Sequence, residues 1–237
     1  MLVQNGAIHL QEYHWERLFA GAQQLYLTIP ALLTAGKLEA EVMRTVEKNR
    51  LTRLCRVRLQ LFAGGGGLYG QDAGKPQFII ECFELTTAMM QLNENGLDVG
   101  IATDIAKSPD SVSNLKSCNA LIYAVGARQA RLNKWNDALI CNTHGNIIES
   151  TLANIFWVKD SVIHTTPLAE GCVAGVMRRH IITRLGNVTE QALTPQILKS
   201  ADEVFLTNAI KKIKWVRAIA GGRYTNHTIQ KIAALLQ

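Results

Sequence analysis

Ser113-Asn114-Leu115-Lys116-Ser117-Cys118-Asn119, Glu149-Ser150-Thr151-Leu152-Ala153-Asn154-Ile155-Phe156 and Gly171-Cys172-Val173-Ala174-Gly175-Val176-Met177-Arg178 follow one another in this order along the chain. The first run, behind the turn-like Lys107-Ser108-Pro109-Asp110, offers an amine able to form a Schiff base. The second offers a carboxylate at the end of a short strand. The third is a glycine-led helix start, whose backbone N–H groups can bind an anion. Each has an ordinary reading on its own. Lys116 can simply cover a helix surface, Glu149 can be a solvated strand-end carboxylate, and glycine is acceptable at any helix N-terminus.

Outward from these runs the periodicity predicts the elements. Gln11 to Leu25 is helical, with Trp15, Leu18, Phe19, Ala22 and Leu25 at helical spacing. Ala35 to Lys48 is a second helix, with Leu38, Val42 and Val46 on one face. The period then changes to two, giving strands at Leu54 to Phe62 and Gln77 to Leu85. Ala63-Gly64-Gly65-Gly66-Gly67-Leu68-Tyr69-Gly70 between them reads as a loop; no Gly-Lys-Ser/Thr and no helix follows to make it a phosphate cradle. Asp98 to Ala102 is a short strand, and Asn114 to Gln129 reads as a helix that contains Lys116. Short strands follow at Asp137 to Cys141, Ile147 to Ser150, Asn154 to Val158 and Val162 to His164. Val173 to Leu185 is helical, Pro195 to Ser200 a short helix, Glu203 to Leu206 and Ile213 to Ile219 strands, and Asn226 to Leu236 a closing helix.

Bulk properties narrow the function classes. The 237 residues can bury a sizeable core, and 48% hydrophobic with 19% charged residues is ordinary for a globular protein. No apolar run approaches the ~20 residues of a membrane span, and Met1 to Gly6 lacks the pattern of a signal peptide. The five cysteines are scattered without a C-x-x-C pair, which suggests neither a metal site nor a disulfide framework and points to a reducing cytoplasm. The net charge of +6 comes with no nucleic-acid motif, so it reads as solvated surface that also attracts small anions. Alternation places Arg56, Arg58 and Gln60 on one polar strand face, which either lines a cleft or is a solvent-facing edge.

Taken together, the lysine, the glutamate and the glycine turn resemble the fold-type IV (class IV aminotransferase) family of pyridoxal phosphate enzymes, from about Asn5 to Val216. Within it they look most like the aminodeoxychorismate lyases. The resemblance implies an α/β chain of α+β type, with a small N-terminal α+β domain over 1–105 and a β-barrel-like cofactor domain over 106–237. It implies pyridoxal 5'-phosphate bound through Lys116, with Glu149 of the Glu-x-x-x-x-Asn-x-Phe element on the pyridine nitrogen. By the same resemblance the amides of Val176 and Met177 face the phosphate and Val173 packs on the cofactor ring. Asn208, with Thr207 beside it, supplies a second phosphate-side turn, and Arg58 reaches the phosphate from its strand. His14, in a His-x-x-Arg-Leu helix, is implied to be structural. No metal, nucleic acid or membrane partner is expected; a small anionic, amino-acid-like substrate and a homodimer are. Asn119 and Met177 favour the lyase over transamination, which needs the same lysine, glutamate and phosphate cup. Family members usually begin with a further strand and a Gly-rich segment ahead of Asn5-Gly6, so the chain is expected to start inside that region.

Overall fold

The computed structural model describes residues 1–65 and 75–236 and divides into two units, Met1–Met89 and Met90–Gln237. In the first, β1 (Leu2–Gln4) and β2 (Ala7–Ile8) precede α1 (Gln11–Gln24), α2 (Ala35–Lys48), β3 (Leu54–Phe62) and β4 (Gln77–Glu84). The strands form an antiparallel sheet in the order β2-β1-β3-β4. The i, i+4 stripe Leu38, Val42 and Val46 is fully buried with Val3, Cys55 and Val57, as a helix lying on one face of a sheet requires. Thr34 caps α2 by accepting a hydrogen bond from the Lys37 N–H at 3.2 Å. The β1–β2 hairpin was not expected, because such short strands carry no readable period. Its signal is the turn Asn5-Gly6, with φ of 50° and 75°, the combination a two-residue hairpin selects. The glycine loop expected over Ala63–Gly70 falls mostly outside the described residues.

The second unit comprises β5 (Leu97–Ile101), α3 (Leu121–Leu132), β6 (Asp137–Cys141), β7 (Ile147–Ser150), β8 (Asn154–Lys159), β9 (Val162–Thr165), α4 (Val176–Leu185), β10 (Val188–Glu190), α5 (Pro195–Ser200), β11 (Glu203–Asn208), β12 (Lys212–Ile219), β13 (Gly222–Arg223) and α6 (His227–Leu235). The sheet order is β10-β9-β8-β11-β12-β5-β6-β7, and β7 also pairs with β8, so β8, β11, β12, β5, β6 and β7 close into a ring. The pair that closes it is Glu149↔Asn154. Strand β5 is bonded in parallel between β12 and β6, and this moves the boundary between units ahead of the expected 105/106.

Strands β8 and β11 are buried on both faces. Ile155 and Trp157 alternate into one cluster with Leu139, Val204, Leu206 and Val216, while Phe156 and Phe205 stack on the opposite side with centroids 4.9 Å apart. Helix α3 packs on β6, and α4 and α6 pack on β11. The Glu203 carboxylate holds the start of α6, accepting from the N–H groups of Thr228 (2.8 Å) and Ile229 (2.9 Å).

Two helix boundaries differ from expectation, both beside the residues of interest. Helix α3 begins at Leu121, not Asn114, because polar side chains turn the preceding chain back on itself. Asp110 accepts from the Val112 N–H, Ser113 Oγ donates to the Asp110 carbonyl, and Asn114 donates to the carbonyls of Leu168 and Cys172. Lys116 therefore lies in a loop ahead of the helix. Helix α4 begins at Val176, not Val173, because both backbone groups of Val173 are bonded elsewhere. The three-residue strand β10, parallel to β9, had no sequence signal.

Candidate active site

The carboxylate of Glu149 is the centre of a polar cluster inside an otherwise apolar wall. Its strand β7 is buried along its length, and the residue itself is 3% exposed. Oε1 accepts from the Tyr123 hydroxyl at 2.6 Å and from Lys107 Nζ at 2.9 Å; Oε2 accepts from the Val173 N–H at 3.0 Å. Lys107 Nζ also donates to the Tyr123 oxygen at 2.7 Å. Burial first, and the Glu149 charge second, push the Tyr123 phenol far above its ordinary range, so it stays protonated and donates. Burial likewise raises the neighbouring Cys172 thiol to about 12, which keeps it an inert neutral group at physiological pH.

The turn 171–175 is built around that carboxylate. Val173 gives its N–H to Glu149 and accepts Asn154 Nδ2 at its carbonyl, 2.8 Å away. Position 175 has to be glycine for steric reasons. A β-carbon there would sit inside van der Waals contact with Asn154 Oδ1, and it would lie 3.1 Å from Cγ. Gly175 is also the N-cap of α4, and no side chain caps that end of the helix. The first-turn N–H groups of Val176 and Met177 thus mark a helix start with positive dipole character and no protein carboxylate or hydroxyl supplied by the cap.

The lysine loop is stitched to the same turn. Asn114 Nδ2 reaches the Cys172 carbonyl at 2.7 Å, and the Asn114 carbonyl accepts from the Ala174 N–H at 2.9 Å. Pro109 packs onto Gly171, which adopts a φ of 94° and has no room for a side chain. Two residues on from Asn114, the exposed Lys116 has its Nζ 5.9 Å from the Tyr123 ring centroid. Lysine, tyrosine, glutamate and helix start are therefore brought to one place by contacts within the second unit. Among the described residues no group of His, Cys, Asp or Glu could hold a metal ion, and no helix is long and apolar enough to cross a membrane.

This arrangement can be set beside known proteins. The model of the amino-transferase class IV family matches residues 1–219. The chain belongs to that family. A branched-chain-amino-acid aminotransferase of Escherichia coli is 27% identical over 217 residues, covering 88% of this chain and 69% of the relative. An aminodeoxychorismate lyase of Bacillus subtilis is 26% identical over 221 residues, covering 88% and 72%. A crystal structure from Legionella pneumophila, carrying the provisional name 4-amino-4-deoxychorismate lyase, superimposes with a TM-score of 0.87 at 26% identity. It covers 99% of this chain and 87% of its own. The α+β architecture with its barrel-like sheet is that of the class IV fold.

Within this class IV chain the remaining expected residues are placed as follows. Sheet register sets Glu149, Asn154 and Thr207 in one row across β7, β8 and β11. The buried Thr207 hydroxyl donates to the Lys212 carbonyl at 2.8 Å. Asn208 spends its side chain on the β11–β12 turn and its neighbour: Oδ1 accepts from the N–H groups of Ile210 and Lys211, and Nδ2 donates to the Leu152 carbonyl. Arg58 stands in the other unit, on the exposed face of β3, where it pairs with Glu81 at 3.3 Å. Val173, Val176 and Met177 are all buried, at 8%, 4% and 7% exposure. Sequence reasoning missed Lys107 and Tyr123 as members of the cluster. Tyr123 lies in the first turn of α3 and so reads as a helix residue, and Lys107 looks like part of a turn.

Proposed function

We propose that this chain binds pyridoxal 5'-phosphate and acts as a lyase of the aminodeoxychorismate type, eliminating pyruvate from 4-amino-4-deoxychorismate to give 4-aminobenzoate. The observation that carries the reading is the junction of Glu149 with the start of α4. One backbone N–H, that of Val173, ties a buried carboxylate to a turn that opens three residues later into a helix with no side-chain cap. The donor set fits the cofactor. A carboxylate offers about four acceptor positions; among the described residues three are filled, which leaves one on Oε2 for a protonated ring nitrogen. The α4 start suits a phosphate dianion.

When bound, the cofactor supplies an electron sink for the pair left on the carbon that bears the substrate's amine. The chain's own residues do the rest. Lys116 holds the cofactor and moves protons to and from that carbon as general base and acid. Glu149 holds the proton on the pyridine nitrogen, while Val176, Met177 and the Thr207–Asn208 turn position the phosphate. Asn119 and Met177 support the lyase over the transaminase. A relative named branched-chain-amino-acid aminotransferase, 27% identical against 26% for the lyase, supports the second reading, a class IV transaminase of branched-chain or D-amino acids.

One assay separates the readings. The purified protein with cofactor is offered aminodeoxychorismate in one reaction and an amino acid with 2-oxoglutarate in another. Aminobenzoate and pyruvate without glutamate support the lyase, and glutamate supports the transaminase. Neither product supports a degenerate homologue that only binds the cofactor.

A further inference from the structure

We infer that Lys107 is a positioning residue of this site, a fixed cation that saturates one oxygen of Glu149 and so dictates that an incoming donor is received on the other. The inference rests on the proposed cofactor reading and adds a residue to it.

Lysine side chains are rarely buried unless paired, and this one is 12% exposed beside a glutamate side chain at 4%. Its backbone is as constrained as its tip. Lys107 forms a parallel bridge to Asn142 just beyond β6, gives its N–H to the Cys141 carbonyl at 3.0 Å and accepts from the Thr143 N–H at 3.2 Å. The chain from Cα to Nζ is thus held at both ends. From there the ammonium donates to Tyr123 Oη and to Glu149 Oε1, and Tyr123 donates to the same Oε1.

The consequence is directional. Both acceptor positions of Oε1 are taken by donors the protein owns, and among the described residues Oε2 is given one donor, the Val173 N–H. The open position is therefore on the side of the 173–176 turn. A buried carboxylate without a counter-charge is costly, and a partner held this firmly lets it stay on β7 between β6 and β8. Both lysines come near one ring, that of Tyr123, with Nζ to centroid 5.3 Å for Lys107 and 5.9 Å for Lys116. Their duties differ: Lys107 is committed to Glu149 and Tyr123, and attachment of the cofactor falls to Lys116.

The test uses the full chain titrated with pyridoxal 5'-phosphate. It compares the parent with Lys107→Met, Lys107→Arg, Glu149→Gln and the double variant Lys107→Met/Glu149→Gln. Lys107→Met is expected to weaken cofactor retention about ten- to a hundredfold and to move the pH profile of the cofactor's absorbance. Lys107→Arg should recover most of both, since it restores the charge. In the Glu149→Gln background Lys107→Met should add little, the non-additivity of a shared interaction. Borohydride reduction should fix the cofactor to Lys116 in the parent and in Lys107→Arg. An unchanged retention and pH profile in Lys107→Met overturns the inference, as does an equal loss in both backgrounds, or reduction onto Lys107. If Lys107→Met fails to fold, the charge-free double variant against Glu149→Gln, together with the Lys107→Arg rescue, decides. A parent that takes up no reducible cofactor sinks the cofactor reading itself; a parent that does, with an indifferent Lys107→Met, sinks only the positioning role.

Discussion

Gly175→Ala tests whether the site and the fold share one contact. The native backbone at 175, φ −72° and ψ 134°, is one any residue adopts, so alanine meets no conformational strain there. By itself the change would stabilise by about 0.4–1 kcal/mol through the unfolded chain. Against that, the new methyl falls on Asn154 Oδ1, in a residue only 6% exposed. Overpacking of this kind costs about 1–3 kcal/mol. If Asn154 moves aside, its 2.8 Å bond to the Val173 carbonyl goes with it, leaving buried polar groups unpaired at about 1–3 kcal/mol. The net expectation is a loss of about 2–4 kcal/mol, which in a chain of this size lowers the melting temperature by roughly 4–16 °C. Thermal melts of the cofactor-free protein read this directly, and Asn154→Ala in the same chain should return part of the loss by removing the atom that is struck. A Gly175→Ala protein that melts with the parent refutes the packing argument. So does a double variant in which the two losses simply add.

Lys116→Ala should keep the melting temperature of the parent, since the side chain is exposed, while abolishing the cofactor that borohydride fixes; mass spectrometry of the reduced protein checks this. Glu149→Gln should slow turnover strongly while cofactor remains attached, because an amide cannot hold the ring nitrogen protonated; steady-state rates near the parent's would remove Glu149 from the chemistry. The N-terminal unit should lose stability in acid through His14. Burial, then neighbouring positive charge, lowers its pKa from 6.5 to about 3, and its Nε2 is buried without a hydrogen-bond partner among the described residues. The unfolded chain therefore binds the proton first, so stability is full above about pH 6.5 and falls progressively as pH drops toward 3. Melts of His14→Gln between those limits should show a shallower dependence.

The parts of this molecule that follow a period could be read from the sequence, and those set by side-chain commitments could not. Helix α2 and strand β3 have the expected limits, because Leu38, Val42 and Val46 at one spacing and Leu54 to Phe62 at the other leave no competing choice. The Lys116, Glu149 and Gly175 runs were legible by family likeness, and the structure brings the loop, the strand and the helix start together through Asn114, Val173 and Asn154. The helix over 114–120 was misread because the apolar spacing continues through it, while Asp110, Ser113 and Asn114 bind the backbone in turns that no periodicity records. Lys107 and Tyr123 were invisible for a different reason. Their meeting at Glu149 spans 42 and 26 positions of chain, separations that no local period records.

The closed ring of the second unit constrains how the protein can change. The ring is joined at Glu149↔Asn154, across a connection whose own bonds run from the Ser150 N–H to the Ala153 carbonyl and from the Ala153 N–H back to Ser150 Oγ. Strand side chains alternate between faces, so adding or removing a single residue between Ser150 and Asn154 would slip the register by one. Glu149 would then point to the opposite face of the wall, away from Tyr123 and Val173, and Asn154 would lose Gly175. Elsewhere on the molecule surface loops can lengthen at little cost; here loop length is itself part of the proposed site, and homologues that keep the chemistry should keep the count from carboxylate to carboxamide.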